Sequence, residues 1–234
     1  MRPVPWWALL SSGTAPVLLT AGWTIAGAIQ GPTYDPVKKT ISILAAYGAP
    51  GYWVMTSAVL GLGTCHVITA LGLHPAAPLG RLALAAGGVC AILLTVFPAP
   101  PSGGSFPHGT VVAVGFALLA VWPVLAVGHG NWASISAWSA HGGWAHLSGW
   151  GRQSGLGDHN GSPPWALRTR VAVVASALMW LSGLWFVITL QTDGPDGIAE
   201  RVLTTAQTVW PLFVVSSCLY HPHHERQPAK TGRW

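Results

Sequence analysis

Glu200, Thr204, Gln207 and Pro211 stand at i, i+4, i+7 and i+11. On an α-helix that spacing puts a carboxylate, a hydroxyl and an amide on one descending stripe. A carboxyl group so placed can act as a general acid toward an alkene or epoxide, and Asp35 is the second candidate for that role. His108, in Pro107-His108-Gly109, could bond a carboxylate or relay a proton. Lys38, Lys39 and Arg201 offer positive charge beside a helix start, which suits a phosphate-bearing headgroup. Each has a plainer role as well. Glu200 could favour the positive end of its helix or pair with Lys38 or Lys39, Asp35 could make a turn, and His108 could be structural.

Motifs for metal or nucleotide chemistry are absent. There is no HExxH, no Walker loop, no Gly-x-Ser-x-Gly, no CxxCH and no Asp-rich magnesium motif. No metal site and no cofactor are expected. Cys65, Cys90 and Cys218 fall inside apolar runs without metal-type spacing, and His221, His223 and His224 lie in a tail without spaced partners. His66 sits midway along an apolar run, so it should bond a backbone carbonyl or a hydroxyl such as Thr20 or Thr24.

The elements that must position these groups follow from the scarcity of charge. Of 234 residues, 11 are Lys or Arg and 6 are Asp or Glu, which is 7% charged against roughly 25% in soluble proteins. The uncharged stretches near 5–29, 52–73, 82–98, 109–127, 171–190 and 202–220 each approach the roughly 20 residues that cross a bilayer as a helix. They are apolar all round rather than alternating, so a transmembrane barrel is excluded. The fold class is therefore all-α, a single polytopic membrane domain of six transmembrane helices over residues 1–234. Arg2, Arg81, Arg152, Arg168, Arg170, Arg226, Lys230 and Arg233 fall on one face, against Lys38, Lys39 and Arg201 on the other. Both termini are expected to be cytoplasmic. The basic balance lacks a stripe or binding motif, so the expected partner is anionic lipid, with no nucleic acid.

The connection from Gly128 to Thr169 is a long insert rich in Trp, His and Gly, with Trp132, Trp138, Trp144 and Trp150 every six residues. It reads as a cytoplasmic loop in the headgroup layer, or as a lid with His141 and His146. The connection from Gly31 to Gly51 reads as a segment that dips into the bilayer or lies along it and walls a site. Val-Trp-Pro occurs at 121–123 and again at 209–211, and each proline frees a backbone carbonyl.

Several runs together resemble a known family. They are Tyr34-Asp35-Pro36 with Thr40-Ile41-Ser42, Trp53-Val54-Met55-Thr56, Cys65-His66, Thr69 to Leu73, His108-Gly109, Trp122-Pro123, Pro164 to Arg168, Gly197 to Arg201, Gln207, and Trp210-Pro211. The chain resembles the largely actinobacterial membrane proteins known as domain of unknown function 998. That resemblance implies six helices and supplies no activity, and the insert departs from the family's usual short loop.

The function expected is a membrane-embedded enzyme on an isoprenoid or lipid-like substrate, a metal-independent, acid-initiated cyclase or isomerase. Asp35, Glu200 and His108 would be catalytic. Tyr34, Lys38, Lys39, Trp53, Trp122, Trp180, Arg201, Gln207 and Trp210 would bind substrate, with indole faces stabilising a carbocation. The alternative is a non-catalytic lipid-binding, transport or sensing protein, or an accessory subunit packing through small residues such as Ala85–Gly88. The expected partners are a hydrophobic small molecule or lipid and membrane lipids, with a homo-oligomer left open. The expected location is a bacterial plasma membrane.

Overall fold

The computed structural model describes residues 4–32, 34–128 and 163–220. The 128–169 insert, with its Trp and His residues, and the C-terminal histidines therefore lie outside the described residues, save for the insert's two ends. Among the described residues there are seven α-helices and one short 3-10 turn, with no strand. The helices are α1 (Trp6–Gln30), α2 (Ile41–Leu44), α3 (Tyr52–Gly72), α4 (Pro78–Leu93), α5 (Phe106–Leu125), α6 (Thr169–Thr192) and α7 (Asp196–Leu219), and the 3-10 turn is Trp165–Leu167.

Five of them, α1, α3, α5, α6 and α7, are long and apolar enough to cross a membrane. This is a multi-pass membrane protein. The remaining long helix, α4, is apolar but has 16 residues, about 24 Å of rise against roughly 30 Å of hydrocarbon. Turns from Leu94 to Phe97 carry the chain on from its end. Large apolar side chains such as Leu10, Val17, Leu82, Val174, Leu178 and Leu181 are exposed, which in a lipid solvent carries no penalty.

Two helix starts lie furthest ahead of their uncharged stretches, and both differences have one cause. α4 begins at Pro78 rather than near 82, because Arg81 turns back and donates from Nε to the Ala70 carbonyl at 2.8 Å and from Nη2 to the Leu71 carbonyl at 3.0 Å. Those carbonyls belong to the open C-terminal turn of α3. α7 begins at Asp196 rather than near 202, since Glu200 and Arg201 are also satisfied by protein groups. A charge ends a span only when nothing in the protein receives it.

The six long helices form a ring in chain order. Each packs on the one before and the one after, and α1 closes the ring on α7. Small residues set the spacing. Gly22 of α1 lies on Ala58 of α3, Gly63 of α3 on Gly88 of α4, and Gly80 of α4 on Ala126 just beyond α5, so that backbones nearly touch as membrane helices often require. Gly87 and Gly88, part of the small-residue run named for the accessory-subunit alternative, pack against Leu119 and against Gly63 and His66. They are spent inside the bundle. A hydroxyl pair, Ser11 Oγ and Thr69 Oγ1 at 2.7 Å, ties α1 to α3.

Expectations for His66 and the first connection resolve differently. His66 is fully buried, but neither ring nitrogen has a partner among the described residues, and Thr20 and Thr24 face outward. Thr24 donates to the Thr20 carbonyl instead. The first connection does turn inward: Ile41 and Leu44 of α2 are buried against Leu19, Ala26 and Met55.

Candidate functional site

The site lies where α2 meets α7, and the segment from Tyr34 to Ser42 is what builds it. Asp35 starts the segment as a turn, accepting the Val37 N–H on Oδ1 at 2.9 Å and the Lys39 N–H on its carbonyl at 2.8 Å. The turn aims the Val37 carbonyl at the start of α7, where it accepts the N–H groups of Gly197 and Ile198 at 3.0 and 3.3 Å. These are N–H groups the first turn of a helix cannot satisfy internally. Gly197 has no side chain because a Cβ there would strike the carbonyl oxygens of Pro36 and Lys39.

Arg201 locks the same segment from the side. Its Nη1 donates to the carbonyls of Pro36 at 2.9 Å, Lys39 at 3.3 Å and Gly197 at 2.7 Å, and its Nη2 donates to the Tyr34 hydroxyl at 2.6 Å. The guanidinium also stacks over Trp23, 5.6 Å from the ring centroid. Burial raises the Tyr34 phenol above its ordinary value, and the nearby Arg201 charge opposes that rise. Arg201 thus acts as a clamp on backbone rather than as a free cation.

Glu200, the next residue, faces inward and is 4% exposed. Its Oε2 accepts the Ile41 N–H, and its Oε1 accepts the Ser42 hydroxyl at 3.1 Å. Two turns below, Gln207 is 1% exposed and donates from Nε2 to the Phe116 carbonyl at 3.0 Å. A carbonyl can only accept, so that contact fixes which end of the amide faces Phe116. Gln207 Oε1 is left without a partner among the described residues.

Glu200 and Gln207 border two adjacent spaces. One is a chamber of about 100 Å³ inside the ring, walled by Leu19, Ile41, Met55, Val59, Leu62, Ala91 and Leu119. The other is a groove of about 970 Å³ between α5, α6 and α7, bordered by Met179, Trp180, Leu184 and Val187, with Lys38, Lys39 and Ser105 at one end. Ser42, His108, Val112, Phe116, Glu200 and Gln207 border both. These shared residues stand between chamber and groove, and their position is the neck of the site. His108 holds its place there through Nδ1, 2.9 Å from the Phe97 carbonyl.

The sequence candidates therefore divide. Glu200, His108 and Gln207 meet at the neck, and Lys38 and Lys39 stand at the end of the groove. Asp35 and Tyr34 border neither space and instead support the segment that does. Trp180, 51% exposed, borders the groove alone. Trp53 is 77% exposed, Trp122 is fully buried, and Trp210 packs against Trp165 and Phe213, so none of these three reaches either space. Ser42, Val112 and Phe116 were not among the candidates. Ser42 stood in the Thr40-Ile41-Ser42 run, while the other two carry no polar side chain to signal them.

Among the described residues no group of three or more His, Cys, Asp or Glu side chains is placed to hold a metal ion. Residues 14–151, which contain most of α1 and all of α2 to α5, match the profile of the family described as protein of unknown function (DUF998). No curated protein and no solved structure matches the chain.

Proposed function

We propose that this chain, which belongs to the DUF998 family, takes a lipid-like molecule from the bilayer through the α5–α6 groove and seats an apolar part of it in the chamber. The observation that carries this reading is the neck: an apolar chamber and a side groove that share a border carrying two buried polar groups, Glu200 and Gln207. The combined dimensions suit a small ligand site, which is mostly apolar with a few placed polar groups. In this reading six helices span a bacterial plasma membrane with both termini cytoplasmic. Lys38 and Lys39 then face the outer leaflet and receive an anionic headgroup.

The test is native mass spectrometry of protein purified in mild detergent. The wild type should carry a bound lipid-like molecule, and Val112→Trp, which fills the neck, should lose it while remaining monodisperse. Equal occupancy in both proteins would count against the reading.

A second reading, acid-initiated cyclisation or isomerisation, is favoured by Glu200 itself, a buried carboxyl at the neck whose neighbour Arg201 is engaged elsewhere. It ranks lower because the aromatic surface beside Glu200 is Phe116, with Trp180 farther along the groove, rather than a cage of indoles. Lipid and terpenoid profiles of cells making wild type or Glu200→Gln at matched membrane levels separate the two. A product made by the wild type alone supports catalysis, and matching profiles support binding.

A further inference from the structure

The hydrogen-bonding groups around the chamber are unbalanced. Ser42 gives its proton to Glu200, Thr95 to the Ile92 carbonyl at 2.7 Å, Thr204 to the Glu200 carbonyl at 2.8 Å, and Thr208 to the Thr204 carbonyl at 2.9 Å. These four hydroxyl donors are committed. Because His108 Nδ1 faces a carbonyl, a neutral ring carries its proton there and leaves Nε2 as an acceptor. Gln207 Oε1 is an acceptor with no partner among the described residues. The two Val-Trp-Pro runs add to the surplus. Pro211 has no N–H for the main-chain carbonyl of Gln207, and Pro123 has none for that of Leu119, and both residues border the chamber.

We infer that the ligand carries a hydrogen-bond donor, a hydroxyl on an otherwise apolar chain, and that it gives this proton to Gln207 Oε1. This rests on the lipid-binding reading and narrows its substrate class to hydroxylated lipids or long-chain alcohols. A carboxylate or phosphate would meet mostly acceptors in the chamber, so such a group stays at the Lys38 and Lys39 end of the groove. The unpaired oxygen is the specific part of the site, since losing a buried partner discriminates far better than losing apolar contact.

The experiment compares affinities of the purified protein for matched pairs, by competition against a fluorescent fatty acid. Hexadecanol and its methyl ether test a hydroxyl at the chain end, and ricinoleate and its O-methyl ether test one part way along. The wild type should prefer the hydroxyl member of at least one pair by about tenfold, and the preferred pair locates the donor. Gln207→Met, close in shape, should bind the two members alike. Equal binding within both pairs by the wild type overturns the inference, with Gln207 Oε1 then served by water alone, and leaves the lipid-binding reading standing. A preference that persists in Gln207→Met also overturns it. Absence of binding by every compound overturns both readings.

Discussion

Ser42 and Glu200, 158 residues apart in sequence, are joined by a 3.1 Å hydrogen bond in which the hydroxyl donates to the carboxylate. Through it, and through the Ile41 N–H on the other oxygen, the last long helix holds α2 in place. Removing the acceptor by Glu200→Ala strands two donors in a buried place. We expect a loss of about 1–3 kcal/mol, read from unfolding in detergent, with a smaller loss in Glu200→Gln. A stable Glu200→Ala protein would mean that the bond holds nothing.

Arg201 works through the fork of its guanidinium, which serves three carbonyls and the Tyr34 hydroxyl together. A lysine keeps the charge but cannot reach this set. In Arg201→Lys, hydrogen exchange should quicken across residues 34–40 and leave α4 unchanged. Uniform quickening would point instead to a global loss of stability.

Gly197 admits the Pro36 and Lys39 carbonyls against the start of α7. A methyl group there must displace backbone, which cannot swing aside as a flexible side chain would. Gly197→Ala should therefore cost about 1–3 kcal/mol and release the same 34–40 segment as Arg201→Lys. The double variant should show less than the sum of the two effects, because both act on one contact.

Tyr34 gives a pH dependence whose sign follows from its raised phenol. Folding favours the protonated form, so its stabilisation is present in full below the ordinary value of 10.0 and fades as pH rises through the higher folded value. Ultraviolet titration of wild type against Tyr34→Phe should place the missing phenolate signal above the ordinary range. A signal at or below that range would contradict the burial of the Tyr34 phenol.

Much of this arrangement was legible because a bilayer punishes charge, so uncharged stretches marked the helices even where their ends were wrong. The ends failed at Arg81 and Arg201, whose charges are received by carbonyls that only the folded chain brings near. The stripe from Glu200 to Gln207 was readable from helical spacing alone. Its meeting with Ser42 and Phe116 was not, since those contacts join segments that no local pattern relates. Tryptophan misled for a different reason. An indole suits a cavity, a lipid face or a packed core almost equally well, and Trp180, Trp53 and Trp122 occupy one of each.

The ring in chain order has a consequence for how the molecule is made. As helices leave the ribosome and enter the membrane one after another, α1 to α5 form an open arc whose inner wall faces lipid. Only α7, emerging last of the seven, brings Glu200 and Gln207 and meets α1. The bilayer is therefore the first tenant of the chamber, and completing the protein means closing its final helix around whatever that tenant leaves behind.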